Sequence, residues 1–163
     1  VDISKINELL YNSPIKGKQN VHFFLVPRWI MILINPLNGF KSQGFNIAVI
    51  NFIFANQNAN IDTPRTFEGL VAHETTHTDI IDKFGFKTMF YPNWKIEGVC
   101  DFVSKETSIH LNDIPTVLDK YHKNEKLNNR ELYLIYKIQV QTLVDQGKSI
   151  SDIINSTTEE PKI

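Results

Sequence analysis

The chain has 163 residues, 42% of them hydrophobic, and its 17 basic and 18 acidic side chains give a net charge of −1. A chain of this length can bury one core, so we predict a single domain over residues 1–163. The balanced charge provides no overall field that would attract nucleic acid. The longest apolar stretch, residues 23–34, is interrupted by Pro27 and Arg28 and is shorter than the ~20 residues of a membrane helix. We therefore expect neither a nucleic-acid partner nor a membrane span.

Cys100 is the single cysteine of the sequence. It cannot form an intramolecular disulfide, and one thiolate does not make a thiolate zinc cluster, so histidine and carboxylate side chains are the expected metal ligands. We interpret Cys100 as a buried packing residue of a helix; the alternative is a side chain that faces the metal site. The sequence is compatible with a cytoplasmic and with an exported protein, so it does not determine the compartment. It does not determine the oligomeric state either.

The first half of the chain predicts one helix and at least two strands. Apolar residues at helical spacing predict a short helix over residues 3–10. Aromatic and β-branched residues dominate residues 21–34 and 45–54, and the sequences Asn38-Gly39 and Gln43-Gly44 between them are typical of turns. Both runs are therefore predicted as strands.

The second half of the chain predicts three helices. Thr63 is the expected N-cap of the first one, with Pro64 at its first helical position. Residues 96–108 and 129–146 predict the second and third helices, and Gly147 ends the last. Strands followed by helices favour an α+β fold, with the helices on one face of a small mixed or antiparallel sheet.

The segment His73-Glu74-Thr75-Thr76-His77 lies inside the first of these three helices. Histidines four residues apart on a helix share one face and can reach a single metal ion, and Glu74 lies where it can take a proton from metal-bound water. Random placement gives this pentad with a probability of about 1%. We predict His73 and His77 as metal ligands and Glu74 as the catalytic base. The alternative is a histidine pair on a helix surface or in a core, without a metal.

A catalytic zinc ion needs three protein ligands and an open fourth position. Glu97 follows His77 after nineteen intervening residues, enough for a loop and a second helix that faces the first. With the pentad, Trp94, Glu97 and Gly98 resemble the gluzincin metallopeptidases, whose pattern is H-E-x-x-H followed by a glutamate helix often written W-x-x-E-G. The resemblance implies Glu97 as the third zinc ligand. It also implies a zincin-like fold in which a small sheet precedes an active-site helix, a glutamate helix and a C-terminal helix.

The resemblance implies two further roles. Asp101 lies one turn after Glu97, and in gluzincins a carboxylate at this spacing orients the first zinc histidine, here His73. The resemblance also implies that Tyr133 donates a hydrogen bond to the developing oxyanion, and that the strand over 45–54 pairs with an extended substrate. The alternatives that remain open for the donor are Tyr136, His110, His122 and Tyr121.

These patterns together predict a zinc-dependent peptide-bond hydrolase that acts on a peptide or a protein. One alternative is a zinc-bound domain with the zincin fold that is catalytically weak or inactive and acts in partner recognition or regulation. A second alternative is a binding domain without a metal.

Overall fold

The computed structural model describes residues 22–26, 47–51, 64–157 and 159–163. Two strands, β1 (His22–Val26) and β2 (Ile47–Asn51), pair with each other. They are followed by helices α1 (Phe67–Phe84), α2 (Asn93–Ser104), α3 (Ile114–His122), α4 (Asn129–Asp145) and α5 (Ile150–Asn155), and by 3-10 helices at Phe86–Phe90 and Leu111–Asp113. The helix predicted over residues 3–10 and the predicted turns before β2 lie outside the described residues.

The expected α+β fold with a small mixed or antiparallel sheet is wrong. Residues 64–157 and 159–163 form helices and loops and contain no strand. The two described strands have five residues each and run parallel, with His22 opposite Ile47 and Val26 opposite Asn51. Their sequences, HFFLV and IAVIN, are nearly continuous apolar runs without the alternation of a half-exposed antiparallel strand. Two short strands do not make a layer, so the scaffold around the candidate site is helical.

Helix α1 begins later than the sequence predicted. Its N-cap is Thr66 rather than Thr63, and its first residue is Phe67 rather than Pro64. The hydroxyl of Thr66 accepts a hydrogen bond from the amide of Gly69 at 3.1 Å, which satisfies one of the open donors at the helix start. Threonine is therefore the capping residue type that was predicted, but three positions further along the chain.

The start of α1 is fastened to the loop that follows α2. The carboxylate of Glu106 accepts hydrogen bonds from the backbone amide and the hydroxyl of Thr66, at 2.7 and 2.6 Å. The ammonium of Lys137, on α4, donates to the carbonyl of Glu106 at 3.1 Å. This polar cluster joins α1, the loop and α4 at one end of the helical scaffold.

Helix α2 lies at the centre of the scaffold and packs against α1, α4 and α5. It begins at Asn93 and ends at Ser104, where Lys105 adopts a left-handed conformation with φ 59°. The predicted range of 96–108 was therefore displaced towards the C-terminus. The buried core around α2 consists of Ile80, Trp94, Val99, Cys100, Val103, Val140, Leu143, Ile150, Ile153 and Ile154.

Helix α4 agrees with its prediction to within one residue at each end. A capping box defines its start, because the side chain of Asn128 accepts from the backbone of Glu131 and the side chain of Glu131 accepts from the backbone of Asn128. Gly147, with φ 84°, follows its end. This helix packs against α2, and β2 contacts α1.

Candidate metal centre

His73 and His77 lie on one face of α1, one helical turn apart. Both side chains are buried, and their Nε2 atoms are 3.2 Å apart. The rings meet edge to face, with an angle of 75° between their planes. The i, i+4 spacing of the pentad therefore brings two ring nitrogens to one point.

Glu97 reaches the same point from the facing helix α2. Its Oε2 atom lies 3.3 Å from Nε2 of His73 and 3.4 Å from Nε2 of His77. Its side chain is buried. These three atoms form a nearly equilateral arrangement, which we call the His–His–Glu triangle. The structure thus brings together the three residues that the sequence assigned as metal ligands.

Cys100 also borders this point, one turn after Glu97 on α2. Its Sγ atom and one nitrogen each of His73 and His77 lie within 4.8 Å of one another, and all three residues are buried. This group can hold a metal ion. The side chain of Cys100 belongs to the core and also faces the histidines, so both interpretations of this residue apply. Its spacing of three residues from Glu97 was the sequence signal for this second role.

Asp101 contacts His73 through the other ring nitrogen. Its Oδ1 atom lies 2.6 Å from Nδ1 of His73 and accepts a hydrogen bond from the guanidinium of Arg65 at 2.6 Å. An acceptor at Nδ1 favours the tautomer with its proton there and leaves the lone pair of Nε2 directed at the triangle. Arg65 was missed in the sequence because it precedes α1 and is 36 residues away from Asp101, so no local pattern links them.

The charges around the triangle favour a bound cation. Burial lowers the pKa of His73, but Asp101 and Glu97 together outweigh burial and raise this pKa to about 10. Burial raises the pKa of Glu97, yet His77 and His73 hold it well below its usual range. Burial likewise raises the pKa of Asp101, and the neighbouring His73 and Arg65 lower it overall. The two carboxylates therefore stay ionised and attract a proton or another cation to the imidazoles.

Glu74 and Tyr133 are the two predicted catalytic residues outside the triangle. Glu74 follows His73 on α1, and its side chain is partly exposed. Tyr133 is near the start of α4 and is also partly exposed. Burial, followed by the negative charges of Glu97, Asp101 and Glu74, raises the pKa of the Tyr133 hydroxyl. Tyr133 is therefore a protonated donor within electrostatic range of all three carboxylates.

The other candidates for the oxyanion donor have different surroundings. The ring of Tyr136 lies 6.3 Å from that of Tyr133, centre to centre. Tyr121 packs against the separate apolar cluster of α3 and α4. Nε2 of His122 lies 3.0 Å from the carbonyl oxygen of the last residue, and His110 is exposed before the second 3-10 helix. Tyr121 thus lies in the apolar cluster of α3 and α4, and His122 contacts Ile163.

Among the described segments, no helix combines the length and the apolar character that crossing a bilayer requires. Comparison of the chain with protein-family models, with curated proteins and with solved structures gives no match.

Proposed function

We propose that this chain is a zinc-dependent peptide-bond hydrolase whose zinc is held by His73, His77 and Glu97. The observation that carries the proposal is the size of the His–His–Glu triangle. A tetrahedral zinc ion with ligand bonds of ~2.0–2.1 Å places its ligand atoms about 3.3–3.4 Å apart. The edges of the triangle measure 3.2, 3.3 and 3.4 Å. Three atoms at these separations can share one ion and leave a fourth position for water or substrate.

The chemistry of the donor set supports zinc in particular. Two imidazole nitrogens and one carboxylate oxygen are a known ligand set of catalytic zinc, whereas magnesium and calcium prefer oxygen ligands throughout. The contact between Asp101 and His73 supplies the acceptor that a ligating imidazole needs at its second nitrogen. The resemblance of the pentad and of Trp94, Glu97 and Gly98 to the gluzincins supports the same assignment.

Hydrolysis of an amide requires a proton to be moved twice. Bound zinc would lower the pKa of its water towards ~7 and polarise the substrate carbonyl. Glu74 accepts the proton of the attacking water as the new carbon–oxygen bond forms, and then gives it to the nitrogen as the carbon–nitrogen bond breaks. The Tyr133 hydroxyl donates a hydrogen bond to the carbonyl oxygen as negative charge builds up there.

The experiment compares one substitution with a matched control on the same helix. Glu74→Gln removes the base and keeps the side-chain size, so we expect turnover of a mixed peptide library to fall by at least about 100-fold while zinc content stays stoichiometric. Asp82→Asn makes the same carboxylate-to-amide change at an exposed position of α1 and is expected to keep both properties. Equal cleavage by wild type and Glu74→Gln would overturn the proposal. It would also be overturned if protein purified from a zinc-supplemented medium contained no zinc.

A second candidate function is a metal-bound domain that acts in recognition or regulation without turnover. Cys100 is the observation that favours it, because its sulfur borders the two histidines. Burial, followed by the charges of Glu97 and Asp101, raises the pKa of the thiol, which opposes its ionisation unless a bound cation offsets these effects. If the sulfur occupied the fourth position, the site would be closed in the manner of structural zinc sites.

Cobalt distinguishes the two candidates. A cobalt(II) protein with a thiolate ligand has an intense near-ultraviolet charge-transfer band, which nitrogen and oxygen ligands do not give. We expect the cobalt-loaded wild type to lack this band and to resemble Cys100→Ala. A strong band in the wild type that disappears in Cys100→Ala, together with no turnover, would support the closed site instead.

A further inference from the structure

Arg65 is the residue immediately before the N-cap of α1, and its side chain is almost completely buried. Only 8% of the side chain is exposed. Its Nη2 atom donates a hydrogen bond to Oδ1 of Asp101 at 2.6 Å, and the Asp101 side chain is fully buried. The same oxygen lies 2.6 Å from Nδ1 of His73. One carboxylate oxygen thus joins a guanidinium at the start of α1 to an imidazole about two turns further along the same helix.

The Asp101 carboxylate has few other restraints. Its second oxygen, Oδ2, is buried and has no hydrogen-bond partner in the part of the chain that the structure describes. Arg65 and His73 are therefore the groups in this part that determine how the carboxylate is turned. A carboxylate held by the imidazole alone could rotate about its Cβ–Cγ bond, because this torsion is broad in aspartate. The guanidinium restricts the rotation, since its planar donors have a fixed direction.

The backbone next to Arg65 is fixed as well. Thr66 donates hydrogen bonds from its amide and its hydroxyl to the carboxylate of Glu106, at 2.7 and 2.6 Å. Glu106 follows α2, the helix that carries Asp101 and Glu97. The contacts of Arg65 and Thr66 therefore tie the start of α1 to the end of α2. Because α1 supplies both histidines of the triangle and α2 supplies its carboxylate, these contacts hold the two sets of ligand atoms against each other.

We propose that Arg65 is a positioning residue of the metal centre, which acts on His73 through Asp101. The inference rests on the proposed zinc site. The guanidinium holds the carboxylate in the orientation in which Nδ1 of His73 donates its proton to it, and this leaves the lone pair of Nε2 directed at the triangle. Because Arg65 acts through another residue, its loss weakens zinc binding rather than abolishing it.

The first experiment measures zinc affinity by titration against a chromophoric chelator. Arg65→Met removes the donor and the charge, and we expect it to bind zinc about tenfold more weakly than the wild type. Arg65→Lys keeps the charge without the planar fork and is expected to recover part of this loss. Arg130→Met makes the same change at an exposed position of α4 and is expected to bind zinc like the wild type. Wild-type affinity in Arg65→Met would overturn the inference.

A double-mutant cycle shows whether Arg65 acts through Asp101. In the Asp101→Asn background the carboxylate is absent, so Arg65→Met is expected to change zinc affinity by less than about twofold. A tenfold loss in this background as well would contradict the proposed role. The double variant also removes the buried charge that Arg65→Met alone leaves without its partner. Arg65→Lys, which keeps the cation, supplies the same comparison if Arg65→Met does not fold.

The proton on Nδ1 of His73 provides a readout that a merely structural arginine would not change. In the zinc-loaded wild type and in Arg130→Met, we expect a downfield NMR signal of this proton with slow exchange against water. In folded Arg65→Met the exchange is expected to be faster, because the acceptor is less well held. An equally protected proton in Arg65→Met would assign the arginine to stability alone and would refute its positioning role.

The outcomes separate Arg65 from the hydrolase function, because the measurements require zinc binding and not cleavage. Cleavage by the wild type, with unchanged zinc affinity in Arg65→Met, would overturn the role of Arg65 and leave the hydrolase standing. Weaker zinc binding in Arg65→Met, without cleavage by the wild type, would support the role of Arg65 and overturn the hydrolase. A wild type that binds no zinc would overturn both.

Discussion

Alanine at position 98 is expected to destabilise the protein, although alanine is the better helix former. A Cβ atom on Gly98 would lie 2.6 Å from the carbonyl oxygen of Tyr136, 2.9 Å from its carbonyl carbon and 2.9 Å from Cγ2 of Val140. Two of these three atoms belong to the backbone of α4, so a change of rotamer cannot remove the clash. Helices α2 and α4 would have to move apart.

The magnitude follows from two opposing terms. Close carbon–oxygen contacts in proteins measure roughly 3.3–3.6 Å, so the helices would separate locally by about 0.7–1 Å. Overpacking of a core costs about 1–3 kcal/mol, and the upper end applies here because the atoms that resist are backbone atoms. Alanine recovers about 1 kcal/mol of helix propensity. The net loss is about 2 kcal/mol, or roughly 4–8 °C in Tm for a chain of this size.

Urea unfolding of the zinc-free protein measures the stability change, and titration against a chromophoric chelator measures zinc affinity. Glu97 precedes Gly98, so the same displacement moves its Oε2 atom off the triangle, and zinc affinity is expected to fall as well. Gly69→Ala is the control. Its Cβ would meet the movable end of Glu106, 1.8 Å from Oε2, so we expect lower stability with unchanged zinc affinity. A Gly98→Ala protein with the stability and zinc affinity of the wild type would refute the packing of α2 on α4.

Three further outcomes are expected. Asp101→Asn weakens zinc binding by about 10–100-fold, measured by the same titration, because it removes the charged acceptor at His73; an unchanged affinity would contradict that positioning role. Cys100→Ala keeps stoichiometric zinc and turnover, measured by metal analysis and peptide cleavage, and a loss of bound zinc would instead make the sulfur a ligand. The zinc-free protein loses stability as pH rises from about 6.5 to about 10, measured as urea midpoints. The pKa of His73 is raised by Asp101 and Glu97 in spite of burial. The stability that the protonated imidazole contributes is therefore fully present below pH 6.5 and is lost as the pH rises through about 10. Urea midpoints that increase over this pH window would contradict a protonated imidazole.

The placement of His73 and His77 on one face of α1 followed from local spacing, whereas Glu97 was assigned through the resemblance to the gluzincins. Two histidines at i and i+4 must share a helix face, and the connection to Glu97 is long enough for one turn of the chain and one return helix. Gly98 is explained by a tertiary contact instead, since a residue without a side chain is what the approach of α2 to Tyr136 requires. Short-range periodicity was therefore sufficient for the histidine pair.

The features that were missed depend on partners far away in the sequence. Thr63 and Thr66 have the same capping chemistry. The observed N-cap, Thr66, also donates hydrogen bonds to Glu106, which lies 40 residues later in the chain. Arg65 acquires its role from Asp101. The parallel pairing of β1 and β2 depends on register between distant segments, which apolar content alone does not determine. Tertiary contacts of this kind leave no mark on local composition.

The buried charges at the centre of this fold are poorly explained as a device for stability alone. His73, Glu97 and Asp101 are buried, and only 8% of the Arg65 side chain is exposed. Removing such groups from water costs several kcal/mol per ion, and well-packed apolar residues of similar volume are often as stabilising or more so. The guanidinium of Arg65 contacts Asp101, and the charge of Glu97 is offset by protonated imidazole when no further cation is present. A divalent ion held at the triangle would offset this charge instead and, by binding the folded chain, would stabilise it in proportion to the logarithm of its concentration over Kd. The charges that are unfavourable in the metal-free fold would thus favour binding of the ion.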